Sequence, residues 1–245
     1  MEEMKSAYYI ARKDVKAYYL KPPMISWGLM LPVVFILAFY FKNPRDIQQV
    51  APGLVGLTLL FSATSMAAIV ITFEKRTEAL ERLLLAPVSL RTILLGKTAG
   101  SAFFGFVMGS LSLVMVMLLF GLKVTRPVAL TLVMVLSAVV FALIGILISV
   151  GVREVFEAMT MANFFRFPMV FLCGVFFPVS AMPAPLQGIA FCLPLTYSVD
   201  ALHSSLLGDG GLLHPWLDLL MLLGFCLFLF FATQLIFAKR IQEEY

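Results

Sequence analysis

The sequence predicts an all-α integral membrane protein with six transmembrane helices, and three observations carry that prediction. The chain is 61% hydrophobic and only 13% charged, with a mean hydropathy of +0.99. A water-soluble domain carries about 25% charged residues, so this chain lacks the polar surface that water requires and the bilayer is its natural solvent. Its apolar runs are unbroken and 18 or more residues long. That suits helices, which need roughly 20 apolar residues to cross, and not barrel strands, which alternate polar and apolar side chains over about ten residues. Lys and Arg, finally, are unevenly divided between the loops.

The predicted spans are 24–41, 52–73, 98–121, 127–150, 160–179 and 215–238. The second, third and fourth contain no ionisable residue. The first is short and holds Pro32, which predicts a tilt or kink. The fifth has Arg166 and Pro168 near its start, and the sixth has Asp218 close to one end.

Fourteen of the eighteen Lys and Arg fall in the N-terminal segment, the 74–97 loop, the 151–166 loop (Arg153 and Arg166) and the C-terminus. The other four are Lys42, Arg45, Lys123 and Arg126. Because Lys and Arg gather on the cytoplasmic side, both termini are expected in the cytoplasm, which an even number of spans allows. The +4 net charge is then a topology signal, and nucleic acid is not expected as a partner.

Residues 1–21 lack the apolar core of a cleavable signal peptide. Met4, Tyr8, Ala11, Val15 and Tyr18 recur at helical spacing, with Lys5, Arg12, Lys13 and Lys16 away from that stripe. An amphipathic helix lying on the inner leaflet is expected, serving either as a basic anchor or as a docking element.

The densest charge lies at EKRTEALERLLLAP, 74–87, with three acids and three bases in fourteen residues. Glu74, Glu78 and Glu81 recur at i, i+4 and i+7 and are expected on one helix face. Leu80, Leu83 and Leu84 form another, which Leu85 extends, and Pro87 stops the helix. On spacing alone this is a short cytoplasmic amphipathic helix, and a solvated connector with leucines in the interface fits as well.

FEKRTEALERLLLAPVSLRTILLGK resembles the second-to-third-span loop of the type-2 ABC exporter permeases. Leu80, Glu81, Leu83, Leu84, Pro87, Val88, Ser89, Gly96 and Lys97 match its pattern. The family's Gly-Thr pair is absent, and Glu78-Ala79 stands there. A second block, FLCGVFFPVSAMPAPLQGIAFCLPLTYSVDAL, is similar to the family's segment before the last span. Gly174, Phe177, Pro178, Pro183, Pro194, Leu195, Thr196, Tyr197, Asp200, Ala201 and Leu202 match, and His203 stands where Arg is frequent.

The resemblance implies a single transmembrane permease domain over 1–245 that pairs with a second permease chain, identical or not, and with a separate nucleotide-binding ATPase subunit holding ATP and Mg. In that reading 74–87 is the coupling helix. Glu74, Glu78, Glu81 and Arg82 set its charge fit, Leu80, Leu83 and Leu84 fill the partner's groove, and Pro87 ends it. It also implies an outer gate of Gly174, Phe177, Pro178, Pro194, Thr196, Tyr197 and Asp200. The substrate path is expected on the first and fifth spans, at Phe35, Phe39, Phe164, Phe171 and Phe176.

LQGIAFCL lies between prolines and is too short to span, so 180–211 is expected to dip back into the outer leaflet as short helices. The chain has no Gly-x-x-x-x-Gly-Lys-Ser/Thr phosphate loop, so it is not expected to hydrolyse ATP by that route or to bind a cofactor itself. Cys173, Cys192 and Cys226 have no metal-ligand spacing and suit packing. His203, His214, Asp200 and Asp218 fall near the outer face. Ser101, Gly105 and Gly109 form a small-residue ridge suited to close helix packing. The rival functions are an ATP-independent secondary transporter or channel, and a membrane assembly factor. Each would lack an ATPase partner.

Overall fold

The computed structural model describes residues 2–19, 21, 25–26, 30, 33–38, 41, 47–122, 124–208 and 211–244. Among these residues there are helices and no strands. The N-terminal helix α1 (Glu2–Asp14) runs into a π-helical turn, Val15–Tyr19. Then follow α2 (Ile47–Arg76), α3 (Ala79–Leu84), α4 (Leu90–Phe120), α5 (Pro127–Gly151) and α6 (Val155–Leu172). A 3-10 turn at Val179–Ala181 leads to α7 (Ala184–Phe191), α8 (Pro194–Leu207) and α9 (Pro215–Glu244).

Five helices, α2, α4, α5, α6 and α9, are long and apolar enough to cross a membrane among the described residues. They carry the second to sixth predicted spans. The first, 24–41, lies partly outside the described residues, with Pro32 and Phe39; of it, 33–38 are helical and Ile36 is buried. The fifth span is shifted from its predicted 160–179. Glu154 starts α6 early through a capping box with Glu157, whose carboxylate accepts from the Arg153 and Glu154 backbone amides. Gly174, at φ 81, then turns the chain after Leu172. Arg166 is therefore eleven residues inside a helix and not in a cytoplasmic loop.

The core is built around α2, which packs on α4, α5, α6 and α8. From Ala51 to Thr72 its side chains are buried except for a half-buried stripe at Phe61, Ser65 and Ile69, spaced by four. The small-residue ridge serves packing within the chain. Gly105 faces Ala63 of α2 so closely that an added Cβ would lie 2.7 Å from the Ala63 Cβ. Buried hydroxyls on these helices are bonded: Thr58 donates to the Leu54 carbonyl at 2.8 Å, and Ser137 to Ser198 at 2.8 Å.

The two short helices before α9 differ: α7 is largely exposed, with Ala190 buried, whereas α8 is packed inside the bundle. Twelve residues of α8, from Pro194 to Leu206, are buried, against α2, α5 and α9. The apolar residues of α8 follow from that burial, since a helix packed on three others needs apolar sides, whereas Leu186, Ile189 and Phe191 of α7 are exposed.

Candidate functional site

The charged stretch is not one helix. The chain leaves α2 after Arg76, and Glu78 takes a left-handed conformation, φ 57, before α3 begins at Ala79. This break separates the three acids. Glu78 and Glu81 are exposed, while Glu74 is the last acid of α2 and is fully buried. The expected shared face of Glu74, Glu78 and Glu81 does not form, because a left-handed residue resets the helical phase.

Glu74 instead anchors a buried ionic cluster. Its carboxylate accepts from Lys13 Nζ at 2.6 Å and from Lys97 Nζ. Lys97 also donates to both oxygens of Asp14, at 3.1 and 2.9 Å. Four charges from α1, α2 and α4 thus close on one another. Burial pushes the Asp14 carboxyl above its ordinary value, with Lys97 opposing and Glu74 adding to the rise. Burial would lower Lys13, but its hydrogen bond to Glu74 and the charges of Glu74 and Asp14 outweigh this and raise it.

The same cluster corrects the reading of α1. Its bundle face is Ala7, Ile10, Ala11 and Asp14: Ala7 and Ile10 lie against Gly96 of α4, Ala11 of the predicted stripe against Gly100, and Asp14 on Lys97. An added Cβ on Gly96 would lie 2.8 Å from the Ile10 Cβ, so helix contact there depends on glycine. Met4 and Tyr8 of the predicted stripe point away from the bundle and are exposed. Tyr19 closes the contact, its hydroxyl 2.9 Å from Ser101 Oγ.

Leu80, expected to face a partner, is 4% exposed and packs into this chain against Ile71, Leu94, Ile146, Val150 and Phe237. It pins α3 to the bundle. Leu83 and Leu84 are half-buried. The outward surface is Glu78, Glu81, Arg82, Leu85 and Pro87, with Leu85 at 87% exposed. Leu85, which by spacing extends the apolar face, is the most exposed leucine of the segment.

Beside α3 opens a cavity of about 550 Å³, lined by Leu80, Glu81, Leu84, Val150, Arg153 and Arg240 among others. The 74–97 loop, the 151–154 loop and the end of α9 therefore lie at one end of the bundle. Lys75 helps close it, donating to the Ser149 and Val150 carbonyls at 2.7 and 3.2 Å at the end of α5.

At the other end the expected gate residues sort into two groups. Gly174, Phe177 and Pro178 form the turn after α6, where Phe177 and Pro178 are exposed. Pro194, Thr196, Tyr197 and Asp200 are buried in α8. Thr196 donates to the Ala190 carbonyl at 2.5 Å and Tyr197 to the Phe191 carbonyl at 2.6 Å, fastening α7 to α8. The Asp200 carboxylate accepts from the Leu212 and Leu213 amides at 2.7 and 2.8 Å and so holds the connection to α9.

Of the expected path residues, the Phe35 and Phe176 rings are 5.9 Å apart, and those of Phe171 and Phe176 6.1 Å. Phe164 lies on α6, 70% exposed, against Phe165. Among the described residues no group of three or more His, Cys, Asp or Glu could hold a metal ion.

The ABC-2 type transporter family model matches residues 6–207. The chain is 25% identical over 220 residues to the inner membrane transport permease YadH of Escherichia coli K12, covering 84% of this chain and 86% of that one. It is 27% identical over 180 residues to the probable multidrug ABC transporter permease YbhS of the same strain, covering 71% and 47%. It is 26% identical over 211 residues to ABC transporter G family member 20 of Dictyostelium discoideum, covering 84% and 29%. With most of its length matched and its long helices apolar, the chain belongs to the ABC-2 type transporter family, as a multi-pass membrane permease.

Proposed function

We propose that the chain is the membrane-spanning subunit of an ATP-driven exporter, paired with a second permease chain and driven by a separate ATPase subunit that holds ATP and Mg. The observation that carries this reading is α3. It is a short helix outside the spanning bundle, pinned by Leu80 and presenting Glu78, Glu81, Arg82 and Leu85 outward. A helix fixed on one face and bare on the other suits a protein contact, charges setting the fit and an apolar side chain entering a groove. Glu74 is not part of that contact in this reading; it ties the base of the segment to α1 and α4. Hydrolysis in the partner would move α3, and through the ionic cluster the ends of α2 and α4.

YadH is named an inner membrane transport permease, which supports an inner-membrane location here. In this reading both termini, α3 and the cavity face the cytoplasm, which the Lys and Arg distribution supports. Phe35, Phe164, Phe171 and Phe176 would line the path between two permease chains, and α7 and α8 would cap it on the outer side.

The test is purification from native membranes in mild detergent, followed by intact-mass analysis of the assembly. An ATPase subunit in roughly equal number to the permease supports the proposal. A permease that comes alone, in every detergent, favours an ATP-independent carrier or channel.

A further inference from the structure

Among the described residues the largest fully buried side chain is a charged one, Arg166 of α6. It is 1% exposed, and its Nη1 donates to Asn163 Oδ1 at 3.1 Å. The guanidinium lies over the Phe61 ring of α2, 5.1 Å from its centroid. Nε and Nη2 are buried and have no hydrogen-bond partner among the described residues. At 1.5 Å per residue Arg166 sits about 16 Å along α6 from Val155, near the middle of a hydrocarbon core of roughly 30 Å.

An arginine at that depth is expensive and ordinarily answered by a counter-charge. This chain does not supply one. It has no Asp or Glu in 47–73, 82–153 or 158–199. The nearer outer acids are engaged elsewhere or at the far end: Asp200 accepts two backbone amides and Asp218 begins α9. A second identical copy would have the same spans and so no acid at that depth either.

The surroundings suit an amphiphile. Phe61 is the first of the half-buried stripe Phe61, Ser65, Ile69 on an otherwise closed α2, so Arg166 lies one aromatic ring from the open side of the bundle. The other sides of α6 expose Phe164, Phe165, Phe167 and Phe171, so Arg166 is the buried charge of an otherwise aromatic helix. Guanidinium is the group that takes phosphate, carboxylate or sulfonate in a two-pronged hydrogen bond, and two of its nitrogens are unspent.

We propose that Arg166 is an anion-binding residue of the substrate path, and that the substrate is an amphiphile with an apolar body and a phosphate, carboxylate or sulfonate group. This rests on the path reading above. Its test uses the permease without ATP, so a failure of ATPase coupling would not affect it.

The experiment measures binding of pyrene-labelled dodecyl phosphate to the full-length chain in phosphatidylcholine nanodiscs, beside the same probe ending in an alcohol. The phosphate probe is expected to bind saturably and in preference to the alcohol. Arg166→Gln is expected to weaken the phosphate probe about tenfold or more, and Arg166→Lys far less. The phosphate probe should also raise the Tm of the wild type and not that of Arg166→Gln. A wild type that binds both probes alike overturns the proposal without recourse to a variant, as does equal phosphate-probe affinity in wild type and Arg166→Gln. Competition by phosphatidylglycerol built into the disc overturns it in favour of a resident lipid.

Discussion

Glu74 and Lys97 form an ion pair that joins the last turn of α2 to the first turns of α4, with Lys97 2% exposed and Glu74 fully buried. These two residues flank the segment that carries α3. The pair therefore fixes the two roots from which α3 projects, and Lys13 and Asp14 fasten α1 to the same point. A push on α3 is delivered to a braced joint and not to a loose loop.

Breaking that joint has an ordered cost. Glu74→Gln leaves Lys13 and Lys97 without their shared carboxylate and is expected to destabilise the bundle by about 3 kcal/mol, as buried pairs do when one partner is removed. Asp14→Asn is expected to cost less, because Lys97 keeps Glu74. Thermal unfolding in detergent compares them, and an equal or reversed order would show that Glu74 is not the hub.

Asp14 also predicts a pH dependence. Burial raises its folded pKa above the ordinary 3.8. For an acid raised on folding, the stabilising contribution is full below the unfolded value and is lost as pH rises through the folded one. The Tm of wild type minus that of Asp14→Asn should therefore fall as pH is raised from about 4. A difference that stays flat with pH would show that the carboxyl is not held up by burial.

Glu78 is the one described non-glycine residue at positive φ, at 57°. A side chain there costs on the order of 1 kcal/mol. Glu78→Gly should stabilise the α2–α3 break by about that amount, less the extra freedom glycine gives the unfolded chain. Denaturant titration checks it; a clear loss of stability would mean that the Glu78 side chain holds the turn.

Gly105 is set against Ala63 with no room for a larger residue. Gly105→Val should force α4 from α2 and cost about 1–3 kcal/mol. Gly188 in α7 meets nothing within 4 Å, so Gly188→Ala should be near neutral. If the two substitutions have equal effect on Tm, the α2–α4 contact is looser than described.

The apolar runs were enough to place α2, α4, α5 and α9, because a spanning helix is specified by length and hydropathy alone. The start of α6 was less legible. Its signal is the Glu154–Glu157 capping pair, which falls within the loop that Arg153 and Arg166 mark out by charge alone. The break at Glu78 had a trace in the sequence, since Glu-Ala stands where the family's pattern carries Gly-Thr, but its consequence for Glu74 did not. Which of two acids four residues apart turns inward depends on Lys13 and Lys97, distant in sequence and brought close only by packing. The role of Leu80 as an anchor, with Leu85 outward, was likewise beyond a periodicity argument, because the phase of a six-residue helix is set by the turn that precedes it.

The central claim is that the outward face of α3 seats an ATPase subunit. The most direct measurement places a photo-crosslinking residue at Leu85 in native membranes, with Leu80 as the buried control, and identifies the adduct by mass. The account predicts an ATPase adduct from position 85, none from position 80, and its loss with Glu81→Lys and Arg82→Glu while the permease stays folded. Adducts from position 85 that contain only lipid or the permease itself would contradict it.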